Sequence, residues 1–169
     1  MKLSCLPVSF FQDLLSGRMT ILEWANLGEE EGLDAIDLSA MLIAQHTPAY
    51  LEQLKADLAG TGMPLTMITT YSDFTHPDAG QRQREMEYAR FDIALSAQLG
   101  ARYLRVLAGQ AYPGTECAQG IQWVTESFKW LDEVAVRHGV QLLFENHSSP
   151  GSWRFTDFSH PPEIFLEIC

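Results

Sequence analysis

The sequence predicts an α/β fold in which strands and helices alternate and the strands pair in parallel. Two observations indicate it. Four times a helix-like stretch meets a glycine and then runs directly into a short apolar strand, at Gly32, Gly62, Gly100 and Gly139. The intervals between these glycines are 30, 38 and 39 residues, about the length of one βα unit. Strands that alternate with helices at this spacing are typical of a parallel sheet.

Composition is consistent with one globular domain over residues 1–169. The chain is 46% hydrophobic and 20% charged, which is ordinary for a folded protein. No apolar run approaches the length of a membrane span, and the apolar part of residues 1–7 is too short for a signal peptide. The three cysteines have no metal-like spacing, so free thiols in a reducing cytoplasm are the simplest interpretation.

The charge balance argues against a nucleic-acid partner. The chain has 11 Lys and Arg against 22 Asp and Glu, for a formal net charge of −11. Proteins that bind nucleic acid need positive charge to displace counterions from phosphates. We therefore expect no nucleic-acid partner, and the absence of a membrane-length apolar run leads us to expect no membrane partner either.

The first half of the chain contains the signals of two strands and two helices. Residues 2–6 are predicted as the first strand, and Thr20 with Glu23 forms a capping box that starts a helix ending near Gly32. Residues 35–38 are the second strand. Thr47 and Pro48 then open a helix as N-cap and first helical residue. Its predicted buried stripe consists of Leu51, Leu54 and Leu58.

The second half continues the alternation. Strands are predicted at 65–69, 103–107 and 140–144. A helix from near Asp78 to Leu99 joins the first two of these strands, and a second long helix joins the last two. The apolar period of that second helix is carried by Ile121, Val124, Phe128, Leu131 and Ala135. A final helix starts at 161–163.

Two parallel architectures compete for this pattern. A doubly wound nucleotide-binding fold requires a Gly-x-Gly-x-x-Gly turn after a strand and before a helix. The residues after the first strand, 7–11, contain no glycine, and Gly60 and Gly62 precede a strand instead. A β/α barrel is therefore favoured, and the open sheet remains the alternative.

Barrels place their chemistry at the carboxyl ends of the strands, where five candidates lie. Glu145 ends the fifth apolar strand and is a metal ligand, a base or half of an ion pair. His147 follows it and is a substrate contact or a solvated loop histidine. Arg105 interrupts the fourth strand and binds substrate or pairs with a carboxylate. Asp73 and His76 follow the third strand and either contact substrate or cap the loop.

Asp37 lies on the second strand between apolar neighbours. We expect it to form an ion pair inside the barrel, and Arg105 is the basic residue available to it.

Three segments carry a resemblance to a known family. Residues 35–39 (AIDLS), 99–106 (LGARYLRV) and 144–147 (FENH), in this order, resemble the sugar phosphate isomerase/epimerase family. That family belongs to the xylose isomerase-like barrels, which also include the AP endonuclease family 2 enzymes. The resemblance covers nearly the whole chain and implies a (β/α)8 TIM-barrel fold.

The resemblance also implies a cofactor and a reaction. A divalent metal ion (Mn, Mg, Zn or Co) is held at the barrel mouth by a Glu from strand five and by an Asp, a His and a second Glu from strands six to eight. The metal polarises a substrate carbonyl while carboxylates move a proton beside it. The implied substrate is a small sugar or sugar-like molecule. Only Glu145 matches a ligand position here.

The counted units set a further expectation. Five βα units match the first part of an eight-unit barrel, so we expect a C-terminally truncated barrel domain whose catalysis belongs to a longer parent. Two alternatives remain. One is a non-catalytic binding module that forms a homodimer through exposed strand edges. The other is an AP endonuclease-like DNA repair enzyme, which the acidic charge disfavours.

Overall fold

The computed structural model describes every residue from 1 to 169, and its centre is a five-stranded parallel sheet. The strands are β1 Ser4–Cys5, β2 Ala35–Ser39, β3 Leu65–Thr69, β4 Tyr103–Val106 and β5 Gln141–Phe144. Their order in the sheet is β1-β2-β3-β4-β5, and every neighbouring pair is parallel. A doubly wound sheet reverses its strand order at one point. This sheet does not, so the barrel-type prediction is confirmed as a partial barrel.

Five helices lie between successive strands, and a sixth follows β5. They are α1 Phe11–Ser16, α2 Ile21–Glu30, α3 Pro48–Gly60, α4 Ala79–Leu99, α5 Cys117–His138 and α6 Pro162–Ile168, with 3₁₀ turns at Val8–Phe10 and Ala40–Leu42. None of these helices combines the length and the apolar character that crossing a membrane would take.

The four glycine joints have the geometry that the sequence predicts. Gly32, Gly62, Gly100 and Gly139 have φ angles of 75°, 75°, 83° and 69°. This left-handed region is costly for residues that carry a Cβ. At Gly100 the backbone N–H also closes the end of α4 on the carbonyls of Ala97 and Ser96.

Local differences from the predictions lie near the N-terminus. The strand predicted over 2–6 is only the two residues of β1, and α1 was not predicted because six residues are too few for a helical period. The capping box of Thr20 and Glu23 is confirmed. Thr47 is the N-cap of α3, but its side chain makes no capping hydrogen bond.

The two faces of the sheet differ in character. The face towards the helices is apolar and fully buried, through Ile36, Leu38, Ile68, Leu104 and Val106. The opposite face carries Asp37 and, side by side in register, Ser39, Thr69 and Arg105. All four polar side chains on this inner face are nevertheless buried.

Asp37 corrects one expectation. It makes no ion pair, and instead the Ser4 hydroxyl of β1 donates to its Oδ2 over 2.9 Å. Burial raises the pKa of the Asp37 carboxyl, because a charged carboxylate is poorly solvated there. Arg105 pairs with a different carboxylate.

Candidate functional site

The carboxyl ends of β4 and β5 bring two predicted residues together. The Arg105 Nε atom lies 3.1 Å from Glu145 Oε2. The Arg105 side chain is 5% exposed, whereas that of Glu145 is 49% exposed. Of the two carboxylates considered for Arg105, Glu145 is thus its partner. The pair places a negative charge at the surface of the site and its counter-charge beneath it.

Arg105 is held from three sides. Its Nη1 donates to the Thr70 carbonyl over 2.7 Å, and its guanidinium lies 5.0 Å from the centroid of the Tyr71 ring. The Nε atom is close to Glu145 but is not aligned for a hydrogen bond, so the contact is an ion pair. A buried guanidinium fixed in this way offers a permanent positive charge to Glu145 and to a ligand beside it.

Asp73, after β3, is the centre of a hydrogen-bond network. Its Oδ1 accepts from the Gln110 backbone N–H at 3.0 Å and from the Thr75 hydroxyl at 3.1 Å. Its Oδ2 accepts from the Gln110 amide at 2.9 Å and from the Tyr112 hydroxyl at 2.7 Å. Its backbone N–H donates to Glu85 on α4. With four donors around a buried carboxylate, Asp73 ties the loops after β3 and β4 together.

Gly109 makes this approach feasible. Its φ angle is 127°, and a Cβ at this position would lie 2.6 Å from Asp73 Oδ1 and would also collide with Thr75 Oγ1. Only a residue without a side chain can let the two loops come so close.

His76 lies at the edge of the same network. Its Nδ1 accepts the Asp78 backbone N–H over 3.0 Å, so His76 helps to start α4. Its ring packs edge-to-face on Tyr112 at 4.9 Å between centroids, and Tyr112 packs in the same way on Phe155 at 5.3 Å.

His147 lies in the loop after β5, partly exposed, next to the buried residue Asp157. The Nδ1 of His147 and the Oδ2 of Asp157 are both buried without a hydrogen-bond partner. The other oxygen of Asp157 accepts the backbone N–H and the hydroxyl of Ser159, at 2.7 and 2.6 Å. Burial raises the pKa of the Asp157 carboxyl, opposed by the Ser159 bonds and by the charge of His147.

Burial also shifts two groups beside Asp73. It raises the pKa of the Tyr112 phenol, and the hydrogen bond to Asp73 and the charge of Asp73 add to this shift. It also raises the pKa of Glu85, against the hydrogen bond from the Asp73 backbone N–H. Both effects favour the protonated forms, so Tyr112 stays a hydrogen-bond donor to Asp73.

The residues present do not by themselves fit a divalent metal ion. No three His, Cys, Asp or Glu side chains cluster as metal ligands, and protein metal sites commonly use three or four protein ligands. Glu145 is a single carboxylate whose near oxygen already faces Arg105. A metal at this position would need donors beyond residues 1–169.

Sequence reasoning missed Gln110, Tyr112 and Asp157. Gln110 and Tyr112 follow a strand end, which is the one signal that could have marked them. Asp157 lies in a loop between β5 and α6 that carries no periodic pattern. The roles of Gln110 and Tyr112 arise from contacts with Asp73, which lies 37 and 39 residues earlier in the sequence.

Comparisons with known proteins agree with this geometry. Residues 26–168 match the family model described as the xylose isomerase-like TIM barrel. No curated protein sequence is similar enough to this chain to count as a match.

Solved structures share the fold at low sequence identity. The 3-keto-D-glucoside 4-epimerase YcjR from E. coli is 19% identical with a TM-score of 0.73, over 99% of this chain and 64% of its own. D-psicose 3-epimerase from Clostridium cellulolyticum H10, solved with D-tagatose, is 14% identical with a TM-score of 0.78, over 99% and 60%. The IolI protein, solved with a zinc atom, is 16% identical with a TM-score of 0.76, over 99% and 58%.

The chain therefore spans about three fifths of the length of these structures. The family model covers most of the chain, and the sequential parallel sheet is of the kind that the model describes. This chain belongs to the xylose isomerase-like TIM barrel family.

Proposed function

We propose that residues 1–169 form the first five units of a sugar isomerase or epimerase barrel and that Glu145 is its proton-transferring carboxylate. One observation carries the proposal: an exposed carboxylate stands on a buried arginine at the carboxyl ends of β4 and β5. In barrels of this type the chemistry lies at that end. Solved relatives include epimerases that act on a 3-keto-glucoside and on psicose, which supports a small sugar as the substrate.

The chemistry proposed for Glu145 is proton abstraction beside a carbonyl. One Glu145 oxygen takes the proton from the carbon next to the carbonyl, and the C–H electron pair moves to form an enediolate. Return of the proton to the former carbonyl carbon, with the hydroxyl proton passing from the adjacent oxygen to the former carbonyl oxygen, isomerises the sugar. Protonation of the original carbon from the opposite face inverts that centre instead. Arg105 keeps Glu145 in place and supplies positive charge near the developing oxyanion.

Residues 1–169 supply one side of such a site. Inversion needs an acid on the opposite face of the sugar, and a divalent metal needs more donors than Glu145. In our proposal both come from further units of the same barrel domain. Three further candidates lie at the same end of the sheet, namely His147, His76 and Asp73. In our proposal His147 contacts the substrate, and Asp73 belongs to the hydrogen-bond network that supports the site.

The open sheet edges favour a second candidate function. β1 and β5 each pair on one side only, and unpaired edges promote association. A non-catalytic module would pair with a second copy through these edges. Light scattering separates this candidate, because a monodisperse monomer at about 100 μM would contradict it. The acidic composition of the chain does not favour nucleic-acid binding under either candidate function.

The test of the first candidate is proton exchange with solvent. The natural polypeptide that carries residues 1–169 is incubated in D₂O with D-tagatose, D-fructose or D-psicose and with Mn²⁺, Mg²⁺, Zn²⁺ or Co²⁺. We expect deuterium to enter beside the carbonyl of at least one sugar, by NMR, and Glu145→Gln to abolish this exchange. Exchange that survives Glu145→Gln would remove Glu145 from the mechanism.

A further inference from the structure

Gln110 uses every hydrogen-bonding position of its side-chain amide. Its Nε2 donates to Asp73 Oδ2 at 2.9 Å and contacts the Tyr112 hydroxyl at 3.0 Å. Its Oε1 accepts the backbone N–H groups of Arg154 and Phe155, at 2.8 and 3.1 Å. The side chain therefore joins the loop after β3 to the loop after β5, across 37 and 44 residues of sequence.

The orientation of this amide is fixed by its neighbours. Asp73 is acceptor-only when ionised, so it selects the NH₂ end of Gln110. The two backbone N–H groups are donors and select the carbonyl end. Reversing the amide would break its hydrogen bonds to Asp73 and to the two backbone N–H groups, so Gln110 has a single satisfied arrangement.

The backbone around Gln110 repeats the connection. Gln110 and Asp157 form an isolated antiparallel bridge, and the Ala111 N–H donates to Thr156 over 2.8 Å. The Phe158 N–H donates to Gly109 over 2.7 Å. Gly120 on α5 leaves room for the Phe158 ring, since a Cβ there would meet ring carbons at 2.7 and 3.1 Å.

Three rings stand where these loops meet. Tyr112 lies between His76 and Phe155, with centroid distances of 4.9 and 5.3 Å and interplanar angles of 70° and 65°. We call these three residues the aromatic wall. Each ring remains partly exposed. Partly exposed aromatic faces pack against apolar surface, and the C–H face of a sugar ring is such a surface.

We infer that Gln110 is a positioning residue that fixes the aromatic wall. The wall in turn packs against the apolar C–H face of a sugar ring and so selects sugar ligands. The sugar class rests on the proposed function, whereas the positioning of the loop does not. Gln110 orders Phe155 through the backbone N–H of that residue. It orders Tyr112 through the direct contact with the Tyr112 hydroxyl and through the Asp73 carboxylate that both residues share.

The first experiment measures hydrogen exchange of the Arg154 and Phe155 amides by NMR or mass spectrometry. Gln110→Glu places a second carboxylate against Asp73 and should release the loop, raising exchange of these amides about tenfold or more. The double variant Asp73→Asn with Gln110→Glu restores a donor–acceptor pair and should restore protection. Gln83→Glu, the same change on an exposed part of α4, is the control and should leave exchange unchanged.

Protection that stays within about twofold of wild type in Gln110→Glu would overturn the positioning role. Failure of the double variant to restore protection would do the same, because the effect would then not depend on the pairing with Asp73. Circular dichroism of each variant confirms that the fold is retained, and the double variant keeps the test valid if Gln110→Glu folds poorly.

The second experiment measures binding of D-tagatose by calorimetry. We expect Gln110→Glu to weaken binding about tenfold, the double variant to recover it, and Phe155→Leu to weaken it while the Arg154 amide stays protected. Equal affinity in wild type and Phe155→Leu would overturn the role of the wall. If wild type binds none of D-tagatose, D-fructose and D-psicose, the sugar assignment fails with the proposed function, and the exchange result alone decides the positioning role.

Discussion

Two carboxylates at the same end of the sheet have opposite surroundings. Asp73 is 8% exposed, and four donors fill its two oxygens. Glu145 is half exposed and has one ionic partner, Arg105. A buried carboxylate with every oxygen bonded stabilises the loops around it and has no capacity left for a ligand. An open carboxylate on a buried cation is available for one, so the two acids divide structure and proposed chemistry between them.

The largest loss of stability that we predict is at Gly109, where the loops after β3 and β4 come together at Asp73. Gly109→Ala adds a Cβ that collides with Thr75 and Asp73 and puts alanine at a φ of 127°. We expect a loss of about 3–5 kcal/mol in the free energy of unfolding, measured by urea denaturation. Gly114→Ala is the control, since nothing lies within 4 Å of a Cβ at that glycine. A loss below about 1 kcal/mol for Gly109→Ala would mean that the loops separate easily.

The second-largest predicted effect is the loss of the Asp73 carboxylate, whose two oxygens both accept hydrogen bonds. Asp73→Ala leaves the donors of Gln110, Tyr112 and Thr75 without their acceptor. We expect a loss of about 2–3 kcal/mol in the free energy of unfolding, measured in the same assay. Asp132→Ala on the exposed face of α5 is the matched control. If both variants lose the same free energy of unfolding, Asp73 does not stabilise the loops around it.

A third carboxylate, Asp92 on α4, tests what burial without partners does. Burial, with a contribution from the charge of Glu85, raises its pKa from 3.8 to about 7. The folded protein therefore holds a proton between about pH 4 and 7 that the unfolded chain has released, so stability falls as pH rises through this window.

Asp92→Asn should remove the contribution of Asp92 to this loss of stability with rising pH. We expect the free energy of unfolding at pH 8 to rise by about 1–2 kcal/mol and to change little at pH 4. Chemical denaturation at both pH values measures the difference. An equal gain at both would show that proton binding by Asp92 is not its cause.

The smallest effect belongs to the open carboxylate. Glu145→Gln removes a charge that is half in water, and the Arg105 side chain keeps its bond to the Thr70 carbonyl. We expect a change of less than about 0.5–1 kcal/mol in the free energy of unfolding, by thermal denaturation. A loss as large as that of Asp73→Ala would place Glu145 among the structural residues and remove the contrast between the two acids.

Local patterns made most of the fold predictable from the sequence. The glycine joints and the stripe of Leu51, Leu54 and Leu58 need only the period of a helix and the φ freedom of glycine, and both are confirmed. The length of β1 was not predictable because a short edge strand depends on its single neighbour.

The site was less predictable because its contacts are distant in sequence. Pairing of Arg105 with Glu145 was one of two alternatives, and the structure chose between them by placing β4 beside β5. Asp37 was expected in an ion pair and is bonded to Ser4 instead. Gln110 stayed unassigned since an amide after a strand gives no hint of the three loops that it joins.

The sequential strand order also bears on how the chain acquires its structure during synthesis. Each strand pairs with the strand made just before it, so no pairing has to wait for a distant part of the chain to leave the ribosome. Folding can thus advance from the N-terminus one unit at a time. The connection between Asp73 and the loop after β5 is an exception, since Arg154 and Phe155 are made late. All five strands are therefore synthesised before the hydrogen-bond network at their carboxyl ends is complete.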